Sequence, residues 1–142
     1  MTDRRDVRLQ GVKRTPVTRN RECSLGVISC SNLEWTDHQV KLVDLSVIGV
    51  GIESEQPIKP GIIWFKECIY GQKCGSLVWC RKIGSQYRAG IQFISFTREQ
   101  EEHLRKQIER LRCNEPLQDP EGIISTLIAD IKKDLTSPAG NE

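Results

Sequence analysis

From Glu22 to Phe93 apolar residues recur at every second position in short runs, the spacing of strands with one buried face. Cys23, Leu25 and Val27 make the first run, and Ser29 to Asn32 breaks it. Between Asp37 and Asp44, Val40 and Leu42 share one face while Gln39 and Lys41 share the other. The chain then leads directly into a predicted strand from Asp44 to Glu53, where Ile48, Val50 and Ile52 alternate with small or polar residues. Pro57 and Pro60 make a loop of residues 56–61. Ile62 to Ile69 reads as a core strand turned by Tyr70-Gly71-Gln72-Lys73, and Leu77, Val78 and Trp79 read as the next, ending near Gly84. In the last run Tyr87, Ala89, Ile91 and Phe93 face one way, and Arg88, Gly90 and Gln92 the other. Short strands in this succession, with no helix between them, predict a mainly β protein, a six-stranded antiparallel barrel or sandwich. Closing the sheet removes its exposed edges.

At Phe96 the period changes. Thr97 and Gln100 form a T-x-x-Q capping box, and Leu104, Ile108 and Leu111 form a narrow apolar stripe, predicting a helix to about Arg112. Glu101 with Arg105 and Glu102 with Lys106 stand four apart in the favourable order. Asn114 to Pro120 reads as a linker, with Asp119 as cap and Pro120 as the first position of a second helix. Ile124, Leu127, Ile128, Ile131 and Leu135 give that helix a wide apolar face, which packs on its own domain or joins a homodimer or partner protein. Residues 1–21 lack apolar periodicity and read as a flexible basic arm. Residues 22–113 then hold the barrel and first helix, and 114–142 the linker, second helix and a frayed tail.

Charge changes this picture at one end only. The 142-residue chain carries 21 Lys and Arg against 19 Asp and Glu, a net charge of +2 too small to imply nucleic acid. Yet Arg4, Arg5, Arg8, Lys13, Arg14, Arg19 and Arg21 crowd the arm, as suits a segment that orders over an anionic ligand. No apolar run approaches the roughly 20 residues of a membrane span, and the start lacks a secretory pattern, so a cytoplasmic protein is expected. The six cysteines (Cys23, Cys30, Cys68, Cys74, Cys80, Cys113) fit no zinc spacing and are expected as reduced, small apolar residues. With only His38 and His103, no triad, metal set or phosphate-binding glycine loop is visible, so no metal, no cofactor and no enzymatic activity are expected.

The chemistry gathers instead at Asp44-Leu45-Ser46-Val47-Ile48-Gly49, spaced D-x-S-x-x-G. On a continuous strand, period 2 puts Asp44 and Ser46 on one side, where a carboxylate and a hydroxyl can meet a flat, amide-rich ligand together. Gly49 would admit a close backbone or ligand. Alone, the motif reads first as a turn or bulge entering a strand, ahead of a binding site.

With its neighbours, the motif resembles the PilZ domain family. There an R-x-x-x-R motif precedes D/N-x-S-x-x-G, on a six-stranded antiparallel barrel with a C-terminal helix, and many members bind cyclic di-GMP. Arg4-Arg5-Asp6-Val7-Arg8 is similar to the first motif, and Tyr87-Arg88-Ala89-Gly90-Ile91-Gln92-Phe93 to the family's x-x-x-G-h-x-F strand (h for apolar). The interval from Arg8 to Asp44 is longer than the family's usual one. In a second register Arg14-Thr15-Pro16-Val17 resembles R-x-P-V, with Gln10 where the other arginine would stand. The resemblance implies a bacterial second-messenger receptor for cyclic di-GMP acting on a protein partner in motility, exopolysaccharide or virulence control. Its ligand residues would be Arg4, Arg5 and Arg8, with Arg14 as substitute, and Asp44, Ser46, Gly49, Trp79 and Arg88. For Trp79 a place in the core is the stronger expectation, because tryptophan is highly buried on average. Two other functions stay open: a ligand-blind adaptor of the same fold, and a small barrel for single-stranded nucleic acid. Scarce aromatics and strands poor in basic residues count against the last, and no DNA partner is expected.

Overall fold

The computed structural model describes residues 15–16 and 21–136. Seven strands form one antiparallel sheet: β1 (Thr15–Pro16), β2 (Glu22–Ser29), β3 (Trp35–Leu45), β4 (Gly49–Ser54), β5 (Gly61–Ile69), β6 (Gln72–Ile83) and β7 (Gln86–Ile94). Their order is β1-β3-β2-β5-β6-β7-β4, and β3 also pairs with β4. That last pairing closes β2 to β7 into the expected six-stranded barrel. β1 lies outside the ring and adds two residues to β3, where Thr15 pairs with Leu45 and Pro16 with Asp44.

The alternation that predicts the strands also fills the barrel. Leu25, Val27, Val40, Leu42, Val50, Ile52, Ile63, Phe65, Leu77, Ala89 and Ile91 are buried together inside it. Phe93 meets Phe65 edge-on, with ring centroids 6.1 Å apart. Tyr70 and Gly71 turn β5 into β6 with φ of +49° and +76°, which suits the two-residue hairpin loops that match strand twist.

One predicted strand divides. The run from Asp44 to Glu53 is not continuous, because β3 ends at Leu45 and β4 begins at Gly49. Residues 46–48 are a tight hairpin turn, and period-2 reasoning across it does not apply.

Two helices cover one side of the barrel wall, α1 (Arg98–Arg112) and α2 (Ile123–Thr136). The α1 capping box is present as the sequence predicts, with Thr97 and Gln100 each bonded to the other's backbone. The charge pairs differ from expectation. Glu101 reaches across to Lys73 on β6 at 2.9 Å, and Arg105 pairs with Glu102 and Glu109. Leu104 and Ile108 of α1, with Ile124, Ile128 and Ile131 of α2, bury Ile28, Ile62 and Cys74 on the outside of the barrel. The apolar face of α2 therefore packs within its own chain.

α2 starts three residues later than its Pro120 suggests. Residues 119–122 form a turn in which the Gly122 N–H donates to the Asp119 carbonyl at 2.9 Å, and Gly122 adopts φ of +69°. Asp119 still caps, from a distance: its carboxylate accepts from the Ser125 N–H at 2.7 Å and pairs with His103 Nε2 of α1 at 2.8 Å. Burial works to raise the Asp119 carboxyl, but these hydrogen bonds outweigh it and hold the group below its ordinary value.

Candidate functional site

The helices pack on β5 and on parts of β3 and β6, and away from them β4 and β7 carry a row that has two of the predicted site residues at its ends. Asp44 pairs with Gly51, Gly51 with Gly90, and Gly90 with Trp79, so four strands put these residues in one row. Directly paired residues of a sheet point to the same side. Here that side is outward, because Val50, Ile52, Ala89 and Ile91 beside the glycines point into the core.

A bulge at each end of the row makes this possible. The register skips Val43 between Leu42 and Asp44, and Val78 between Leu77 and Trp79. Each extra residue re-aims the strand, which is a usual role of bulges near sites. Leu42 and Leu45 can both face the core, as can Leu77 and Cys80, while Asp44 and Trp79 are turned out between them. Trp79 is therefore half-buried on the outer wall and belongs to neither hydrophobic cluster, against the expectation of a core position.

The two glycines are needed for contact. A Cβ on Gly90 would stand 2.2 Å from Trp79 Nε1, and one on Gly51 would stand 2.8 Å from Asp44 Oδ1. The indole lies flat across Gly90 and the carboxylate leans over Gly51, approaching along the row from opposite ends. An acceptor and an aromatic plane are thus held on a rigid sheet rather than on a loop.

The next outward row is charged. Lys41, Glu53, Arg88 and Arg81 follow one another across the same four strands. Arg88 Nε lies 3.4 Å from a Glu53 carboxylate oxygen, so this guanidinium is partly neutralised. Arg81 turns the other way, its guanidinium carbon 5.1 Å from the centre of the Trp79 ring. The sequence reading passed over Arg81 and Gly51. The position of Arg81 two residues beyond Trp79 on one strand face was the signal for it.

Ser46 has a different place. It is 8% exposed, and its hydroxyl accepts from the Ile48 and Gly49 N–H groups at 3.3 and 3.2 Å. The same hydroxyl is 3.3 Å from the Gly49 carbonyl, to which it donates, and its backbone N–H donates to that carbonyl at 2.9 Å. The serine of D-x-S-x-x-G thus ties the turn. Gly49 packs on β7, where a Cβ would come within 2.3 Å of the Ile91 carbonyl oxygen.

Arg4, Arg5, Arg8 and Arg14 lie outside the described residues. The chain they belong to reaches the site through β1, whose Pro16 pairs with Asp44. Beside β1, at the end of the barrel, Pro16, Arg21, Leu45, Val47, Tyr70 and Phe93 help to line a largely apolar cavity of about 720 Å³. Val47 and Tyr70 stand at its mouth, 82% and 79% exposed.

Elsewhere little chemistry assembles. Cys23, Cys30 and Cys74 are buried, and burial pushes the Cys74 thiol up to about 12, far from a reactive thiolate. Cys68 and Cys113 are exposed, so the expectation of a core place fails for these two. Among the described residues no His, Cys, Asp and Glu cluster could hold a metal, and no helix is long and apolar enough to cross a membrane.

No protein-family model matches the chain, and no curated protein does. Among solved structures it is similar to the PilZ domain with c-di-GMP of YcgR from Escherichia coli, at 16% identity and a TM-score of 0.39. The likeness covers 73% of this chain and 92% of that one.

Proposed function

We propose that this protein is a receptor, not an enzyme, for a cyclic dinucleotide bearing guanine, with cyclic di-GMP as its ligand. The observation that carries the reading is the row Asp44–Gly51–Gly90–Trp79, which sets a carboxylate and an aromatic plane on one open wall of the barrel. A carboxylate can accept from the N–H groups of guanine's Watson–Crick edge, and an indole offers a stacking surface. The ligand's two phosphates call for cations, which the arginine-rich arm can bring. Arg14 is covalently adjacent to Thr15, which pairs with Leu45 beside Asp44, so it is the arginine with the shortest tether to the row. The motif resemblance to the PilZ family points to the same ligand.

In this reading the arm closes over the bound ligand, with Arg4, Arg5 and Arg8 supplying further contacts, and the ordered arm is the surface that a protein partner senses in the cytoplasm. Ser46 and Gly49 act by fixing the turn behind Asp44, and Arg88 exchanges Glu53 for a phosphate.

Calorimetric titration with cyclic di-GMP, GTP and a linear guanine dinucleotide tests the proposal. Saturable binding of the cyclic ligand alone is expected, weakened about tenfold or more by Asp44→Ala and by Arg14→Ala. Absence of saturable binding rejects it.

A second reading is a ligand-blind adaptor. It is favoured by the internal engagement of Ser46 and of Arg88, and by the exposed Val47 and Tyr70 at one end of the barrel. Protein contacts through that end would then be unaffected by Asp44→Ala.

A further inference from the structure

Resting on the receptor reading, we infer that Trp79 and Arg81 are two jaws of a purine clamp, and that a base enters between them. The indole has two faces with different environments. The lower one lies on the bare backbone of Gly90, where even a Cβ would collide at 2.2 Å from Nε1. No base can enter there. The upper face carries the Arg81 guanidinium at 5.1 Å from the ring centre, on an exposed side chain.

A contact of this kind at an exposed site is weak and easily exchanged. A guanidinium is also planar, weakly hydrated and able to stack on an aromatic plane while keeping its charge. A purine sliding onto the indole therefore need not expel Arg81. It replaces one stacked pair by two, with the base held between indole and guanidinium, whose N–H groups are then available to a nearby phosphate. The anchored lower jaw fixes the plane of the base, and the upper jaw closes on a side chain free to move with it. Arg88, on the neighbouring strand, is engaged with Glu53 and serves neither jaw in this arrangement.

The full chain is titrated by calorimetry and tryptophan fluorescence with cyclic di-GMP and, separately, with GMP as the single-base probe. Wild type is compared with Arg81→Ala, Arg81→Lys and Trp79→Leu, each checked for folding by circular dichroism. The clamp predicts a ligand-induced fluorescence change that Trp79→Leu abolishes. It also predicts affinity lowered about tenfold in Arg81→Ala and nearly as much in Arg81→Lys, because an ammonium cannot stack as a plane does. Full rescue by lysine would reduce Arg81 to a point charge and overturn the clamp. Cyclic di-GMP binding that neither Arg81→Ala nor Trp79→Leu alters would overturn the clamp while leaving the receptor reading intact. GMP binding that depends on Arg81, without binding of cyclic di-GMP, would do the reverse. Binding of neither nucleotide rejects both.

Discussion

Gly49 shows how one residue of a motif can serve the fold first. A methyl group there would meet the Ile91 carbonyl oxygen at 2.3 Å, and that oxygen belongs to the backbone of β7 and cannot swing away. Gly49→Ala should therefore lower stability by about 1–3 kcal/mol, the usual cost of overpacking, read as a shift in the urea midpoint at constant slope. The spacing D-x-S-x-x-G was plain in the sequence, but the work of each member was not. Asp44 stands on the outer side of the sheet with one carboxylate oxygen buried, whereas Ser46 points into its own turn. A linear pattern cannot tell a strand from the hairpin that interrupts it, because both put polar and small residues at these positions. Gly51 was invisible for a related reason, since its role depends on Asp44 brought beside it by pairing across strands, whereas the spacing of Trp79 and Arg81 on one strand was there to be read.

Elements were more legible than residues. The capping box of α1, the alternating face of β7 and the turn at Tyr70-Gly71 all occur where local chemistry puts them. The late start of α2 was harder to see, since Asp119 caps through a turn that Gly122 makes with its positive φ. The link from Asp119 to His103 ties this cap to α1. The folded Asp119 carboxyl is held below its ordinary value, so its contribution is complete above the unfolded value of about pH 4 and is lost as the pH falls through the lower folded one. Asp119→Asn keeps the shape and removes the charge, and should cost about 1 kcal/mol at neutral pH. As the pH falls below about 4 the gap in melting temperature between the two proteins should narrow. A gap that stays constant on acidification would remove Asp119 from the account of acid stability.

At the scale of the molecule, the barrel was legible because six amphipathic strands without intervening helices have few ways to hide their edges. Which side the helices would cover was not, since it depends on outward-facing Ile28, Ile62 and Cys74, which look in sequence like ordinary members of strands. A chain ended after Arg112 would uncover this cluster. It should express with exposed apolar surface, bind a hydrophobic dye and unfold at lower urea than the full chain. Equal stability of the two would mean that α2 is an accessory. The covered and the bare walls also give the molecule a front and a back that share the strand β6, with Cys74 under the helices and Trp79 in the open. A hydrogen-bonded, closed wall bends little, so occupancy of the front is poorly communicated to the back. On the receptor function proposed above, a partner that senses the bound ligand would then have to approach from the front, on the side of Asp44 and Trp79.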